Sequence, residues 1–156
     1  MRYTIVTVGR SDRGPFASAV ERFRSRLDAV SGGAALRAVK ASRAGTVAER
    51  RAADGAALIA AASASGGRSV LLDERGASFT TAALAAHVRA LELRGESRLV
   101  LLVGGADGVD GGVRGAVDAT WSLSPLTLPH ELALVVLLEQ LYRVESLAQG
   151  HPYHRS

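Results

Sequence analysis

Apolar and polar positions along the chain alternate between two periods. Residues 3–8, Tyr-Thr-Ile-Val-Thr-Val, are a short β-rich run ending at Gly9 and predict a strand. Phe16, Val20, Phe23, Leu27 and Val30 then recur at spacings of three and four, as one face of an amphipathic helix requires. Pro15 suits the start of that helix and Gly32-Gly33 its end. Residues 35–41 alternate and predict a second strand. Thr46 with Glu49 has the spacing of a capping box and opens a helix to about Ala62. Residues 63–67, Ser-Ala-Ser-Gly-Gly, predict a loop too short to be a flexible interdomain linker.

The second half repeats the rhythm. Residues 68–74 predict a buried strand, and 80–95 a helix closed by Gly95. Residues 97–105 are a run of aliphatics ending in two glycines, the pattern of a parallel strand covered on both faces. A short helix over 110–118, a strand over 119–124 and a last helix from His130 to Gln149 complete the chain. Alternating strands and helices predict an α/β fold: three layers around a mostly parallel sheet. At 156 residues the chain predicts a single domain over 1–156 with a sizeable core.

Composition narrows the function classes. There is no cysteine, which excludes disulfides, thiolate chemistry and cysteine-based zinc sites. His130, His151 and His154 have no metal-ligand spacing, so no metal is expected. The longest apolar run inside the chain, Leu132–Leu138, is far short of the about 20 residues a membrane span needs, and the first residues are too short an apolar run for a signal peptide. These features predict a cytoplasmic protein. Net charge is +4, but residues 1–51 hold eleven basic and four acidic residues. Eighteen of the nineteen basic residues are Arg, the side chain suited to bidentate phosphate contact. A basic half points to an anionic partner; a solvated arginine-rich surface is the plain alternative.

Candidate chemistry concentrates in the last third. Leu-Leu-Val-Gly-Gly-Ala-Asp-Gly (101–108) places Gly104 and Gly105 where a buried strand ends, the position at which α/β folds bind ligands. It is neither a GxGxxG fingerprint nor a P-loop. In the segment 121–143, Pro125 and Pro129 bracket Leu126, Thr127 and Leu128 directly before the most apolar helix of the chain. Two prolines fix φ and remove two donors, so the remaining backbone groups of such a loop can read an adenine edge; a plain strand-to-helix connection is the other reading. The last helix is apolar on nearly every face, which points to a subunit interface or to full burial within one subunit. The tail, His-Pro-Tyr-His-Arg-Ser, carries groups suited to stacking, hydrogen bonding and phosphate contact with RNA.

Taken together, 101–108, 121–143 and the terminal 151–156 resemble the RlmH family, SPOUT-class methyltransferases of the bacterial large ribosomal subunit. The resemblance spans the whole chain and is strongest over 98–156. It implies a deep trefoil knot over about 68–150, a feature nearly absent from other folds. It also implies a homodimer, S-adenosyl-L-methionine as methyl donor, and methylation at N3 of a pseudouridine in 23S rRNA, within the large subunit or assembled ribosome. The family's cofactor loops match Leu72, Gly104, Gly105, Ser124, Pro125, Leu126, Thr127, Leu128 and Pro129. One departure stands out: the family usually reads Gly-Gly-Pro-Glu-Gly where this chain has Gly104-Gly105-Ala106-Asp107-Gly108. Ala loosens the turn that Pro would stiffen, and Asp keeps the charge on a shorter arm.

The chemistry assigns provisional roles. The pseudouridine N3–H is a weak acid, so His130 or His154 is a candidate general base. Arg143 or Arg155 is a candidate for stabilising charge on the flanking carbonyl oxygens, and Tyr153 for stacking on the base. His130 as a helix cap is the structural alternative. A tail reaching the partner's cofactor pocket would make the site composite. The rival functions are a SPOUT enzyme acting on tRNA, a non-enzymatic ribosome-binding factor, and a generic nucleotide-binding α/β protein.

Overall fold

The computed structural model describes residues 1–11 and 13–150. Five strands and five helices alternate: β1 (Arg2–Val8), α1 (Ala17–Val30), β2 (Ala34–Val39), α2 (Val47–Ser65), β3 (Arg68–Ser78), α3 (Thr81–Leu93), β4 (Arg98–Val103), α4 (Gly111–Gly115), β5 (Ala119–Ser122) and α5 (His130–Ala148). The strands form one sheet in the order β2-β1-β4-β3-β5, and every pairing is parallel. Parallel neighbours need crossovers, and the helices supply them. The predicted α/β class and its mostly parallel sheet are as observed.

Two apolar cores lie on opposite faces of the sheet. Tyr3, Ile5, Leu99, Leu101 and Val103 face α1, α3 and α5. Val6, Val8, Val100 and Leu102 face Leu58 and Ala62 of α2 and Val113 of α4. β1 and β4 are thus buried on both sides, which is why β4 runs aliphatic without alternation and β1 carries no charge after Arg2. Between the two cores they set the layers that the sequence predicted.

Local chemistry fixes the helix starts. The Thr46–Glu49 capping box is present in both directions: Glu49 N–H donates to Thr46 Oγ1 (3.2 Å) and Thr46 N–H to Glu49 Oε2 (2.9 Å). Asp110 caps the single turn of α4 by accepting from Val113 N–H, a much shorter helix than 110–118 suggested. α2 runs on through Ser65, whose hydroxyl donates to Ala61 O, so the loop read at 63–67 is reduced to Gly66-Gly67.

α5 packs along α1 and α3 and buries Leu134, Leu137, Leu138, Leu141 and Val144 within the chain. Leu132, Val135, Val136 and Leu147 are only half-buried. Much of the apolar surface that the sequence left for a partner is therefore covered internally. Arg26 of α1 adds a cation–π contact to Tyr142 of α5, 5.8 Å from its ring centroid.

β3 departs most from expectation. The sequence predicts an end at residue 74, yet the strand resumes and continues to Ser78. Leu72 and Ala77 both pair with Trp121 of β5, so residues 73–76 bulge out between two ladder segments. Gly76 makes the return possible, since a Cβ there would lie 2.6 Å from Trp121 C and 2.7 Å from Thr120 C. Both are backbone atoms that cannot rotate away. Gly76→Ala is expected to cost about 1–3 kcal/mol, as overpacking does, measured by urea unfolding; an unchanged midpoint would contradict this account of the bulge.

Candidate active site

The sheet aligns the ends of β3, β4 and β5. Leu72 pairs with Val103, the last residue of β4, and with Trp121, one residue before the end of β5. Outside these ends lies a cleft of ≈ 630 Å³. Three segments wall it: the β3 bulge with Leu72, Asp73 and Glu74, the turn Gly104–Gly108, and the loop from Leu123 to the start of α5. Every residue matched to the cofactor loops lines it except Pro125, which frames the loop from outside the lining. This is where open α/β sheets place ligands.

The proline-bracketed loop is held by its own serines. Ser122 Oγ donates to Ser124 O (3.0 Å), and Leu126 N–H donates to Ser124 Oγ (3.0 Å). Pro125 and Pro129 have no N–H. Between the two prolines, Leu126 N–H is committed, and Thr127 and Leu128 keep N–H groups with no partner among the described residues. Leu126 is 71% exposed at the cleft mouth, an apolar side chain with no protein cover.

The turn 104–108 is shaped by packing as much as by access. Gly108, at φ +77°, donates its N–H to Gly105 O (3.0 Å) and closes the turn. A Cβ on Gly104 would sit 3.0 Å from Val109 Cγ1, and one on Gly105 3.1 Å from Val8 Cγ1. The sequence reading attributed these glycines to close ligand approach; the structure adds tight internal contact as a cause. Two arginines of α2 hold the turn from outside. Arg50 Nε donates to Asp107 Oδ2 (2.7 Å), and Arg51 Nε donates to Asp107 O (2.5 Å). The hydrogen bond from Arg50 holds the Asp107 carboxyl below its ordinary pKa. The stiffness that proline would give is supplied here by a side-chain clamp around Ala106-Asp107.

The bulge is anchored as well. Asp73, with its side chain 5% exposed, accepts from Arg114 Nε (2.9 Å) and Nη2 (2.5 Å) and from Arg75 N–H (2.9 Å). Burial alone would raise the Asp73 carboxyl, but the Arg75 amide and the Arg114 guanidinium outweigh it and hold it low. A lowered carboxylate pKa contributes stability above the ordinary carboxylate range, and that contribution is lost as pH falls through the folded value. Asp73→Asn is expected to cost about 1.5–3 kcal/mol at pH 7, the usual worth of hydrogen bonds to a charged group. The gap to wild type should narrow below about pH 4; a gap in thermal midpoint that is constant with pH would contradict it.

The comparisons with known proteins agree with this geometry. A family model described as "Predicted SPOUT methyltransferase" matches residues 1–154. The chain belongs to the SPOUT methyltransferases. Relatives named ribosomal RNA large subunit methyltransferase H place it more narrowly in that family. One, from Methylobacterium sp. (strain 4-46), is 42% identical over 99% of this chain and 98% of its own. Another, from Rhodopseudomonas palustris, is 37% identical over the full length of both. A solved structure described only as a hypothetical protein superposes with a TM-score of 0.58 at 16% identity, covering 94% of this chain and 81% of that one, and supports the fold alone.

Of the residues given catalytic roles, His130 lies in the SPOUT cleft wall. It begins α5, but the N-cap is Pro129 and no side-chain cap bond forms, so the capping alternative is not what is observed. Arg143 lies thirteen residues further along α5, about 20 Å by helical rise. There its Nε donates to Glu139 Oε1 (2.5 Å), and it does not line the cleft. One protomer therefore does not bring His130 and Arg143 together. Tyr153, His154 and Arg155, with His151, lie outside the described residues. Sequence reasoning missed Arg51, Asp73 and Glu74; an acidic pair directly after the aliphatic run of β3 was the available signal. Among the described residues no group of three or more His, Asp or Glu could hold a metal ion, and no helix is long and apolar enough to cross a membrane.

Proposed function

We propose that this chain methylates large-subunit ribosomal RNA, taking the methyl group from S-adenosylmethionine and placing it on N3 of a pseudouridine in 23S rRNA. The observation that carries the proposal is the convergence of the three strand-end segments on one cleft. The name shared by the relatives supports ribosomal RNA of the large subunit as acceptor. S-adenosylmethionine, once bound, supplies an electrophilic methyl on a sulfonium cation. The lining suits such a cation: with Asp73 paired to Arg114 and Asp107 to Arg50, Glu74 is the acid of the lining without an ion pair among the described residues.

The chain's residues have to bind, orient and move a proton. The serine-pinned loop presents the Thr127 and Leu128 N–H groups at fixed positions for the edge of a purine. Fixed orientation of donor and acceptor is worth several kcal/mol of barrier. His130, at the cleft wall, is placed to hold the N3 proton, with His154 the alternative base. Arg143 and Arg155 are the candidates for charge on the base carbonyls, and Tyr153 for stacking.

The separation of His130 from Arg143 favours a composite site, in which Arg143 and the tail of one protomer serve the cleft of the other. The proposal therefore includes a homodimer in the cytoplasm, acting on the large subunit or the assembled ribosome. It also includes a single domain over 1–156 with a trefoil knot within about 68–150. The exposed arginines of residues 1–51, among them Arg13, Arg22, Arg37 and Arg43, are candidate rRNA contacts.

The test is transfer of labelled methyl to assembled ribosomes, free large subunits and bulk tRNA offered separately. Label in large-subunit rRNA with ribosomes preferred is the expected result. Label in tRNA alone would overturn the substrate, and no label with no cofactor binding would overturn the activity.

A further inference from the structure

The cleft has two ends that differ in chemistry. A second cavity of ≈ 580 Å³ adjoins it, and Arg51, Asp73, Glu74, Asp107 and Gly108 line both. These shared residues mark the junction. The loop from Leu123 to His130 borders only the first cavity, so it lies away from the junction. The junction holds most of the cleft's charge, and most of that charge is already committed. Asp73 is bound by Arg114 and by the Arg75 amide, and Asp107 by Arg50. Two groups are left. Arg51 gives only its Nε, to Asp107 O, and its two terminal nitrogens make no hydrogen bond among the described residues. Glu74 is exposed on the bulge and its carboxylate has no hydrogen bond or ion pair among the described residues.

We propose that Arg51 and Glu74 are a recognition pair for the zwitterionic amino-acid head of the cofactor: Arg51 takes its α-carboxylate and Glu74 its α-ammonium. A guanidinium pre-oriented through Nε presents its remaining N–H groups in the fork that fits a carboxylate. An uncommitted carboxylate in the same lining fits an ammonium, and no other uncommitted acid is shared by the two cavities. The head then sits at the junction, with the nucleoside toward the proline-bracketed loop. The inference rests on the S-adenosylmethionine reading of the cleft and goes beyond it by naming which residues of this chain discriminate the ligand's head. Nothing in the sequence pattern of the strand-end loops marks Arg51, because it arrives from α2.

The test is binding by calorimetry, with the full chain and three ligands: S-adenosylmethionine, its decarboxylated form, and 5′-methylthioadenosine, which has no amino-acid head. Arg51→Gln should weaken S-adenosylmethionine by about tenfold or more, the range of a hydrogen bond to a charged group. It should leave the decarboxylated form and methylthioadenosine within about twofold. Glu74→Gln should weaken both ligands that carry the ammonium and leave methylthioadenosine unchanged. Both residues are exposed, so neither variant removes core packing; Arg51→Gln does remove the tie to Asp107 O, and unchanged methylthioadenosine binding reports that the Arg50–Asp107 pair still holds the turn. If the wild-type chain binds S-adenosylmethionine and Arg51→Gln weakens it no more than the decarboxylated form, the assignment is wrong and the cofactor reading stands. If the wild-type chain binds none of the three, both are wrong.

Discussion

Removal of residues 151–156 is expected to lower methyl transfer by about 10²–10⁴-fold, the usual contribution of a positioned acid–base group, while leaving the fold and cofactor binding intact. The described residues hold few groups able to do this chemistry. Of their ionisable groups, only His130 lines the cleft with a base suited to neutral pH. The remaining candidates for proton transfer, stacking and charge stabilisation, His154, Tyr153 and Arg155, are all in the tail. Among the described residues the most C-terminal buried apolar residue of the core is Val144, and Gln149 still donates to Val30 O. Among the described residues the cleft lining likewise ends at Ala133. The truncation therefore separates chemistry from binding. Its measurement is kcat on ribosomes beside calorimetric affinity for S-adenosylmethionine. A truncated chain with full kcat would remove the tail from the mechanism and the composite site with it.

Leu138→Ala is expected to cost about 2–5 kcal/mol, the range for emptying a large aliphatic site in a core. Leu138 is fully buried on α5, in the cluster that joins this helix to Ile5, Leu99 and Leu101 of the sheet. That loss is a large share of a total stability on the order of 5–15 kcal/mol. It also reaches the site, because α5 begins where the proline-bracketed loop ends. Cofactor affinity should fall along with the urea midpoint. A variant losing less than about 1 kcal/mol would mean that the core collapses around the gap, and that α5 is not the support the fold suggests.

Most of the fold was legible in the sequence, for a physical reason. β1 and β4 are covered on both faces, and that requirement wrote a continuous aliphatic run into β4 and an uncharged run into β1 after Arg2. Thr46 with Glu49 announced α2 because a capping box is a local interaction. Strand order was not legible, since pairing depends on contacts that no local pattern records. The β3 bulge was missed because Glu-Arg-Gly-Ala-Ser reads as a loop; only the approach of the Trp121 backbone shows why glycine stands at 76. The cofactor loops were located through the resemblance, and the cleft gathers all of them but Pro125 at its wall. The ties that hold those loops were invisible. Arg50 meets Asp107 across 57 positions and Arg114 meets Asp73 across 41, and such partners are set by tertiary structure alone.

The product of the reaction tests the proposed chemistry most directly. Ribosomes not yet modified at the target would be incubated with this chain and S-adenosylmethionine, and their 23S rRNA digested to nucleosides for mass spectrometry. The expected result is one new 3-methylpseudouridine per ribosome, formed only with the cofactor present. Methylation of another nucleoside, or an unchanged digest from a chain that binds S-adenosylmethionine, would contradict it.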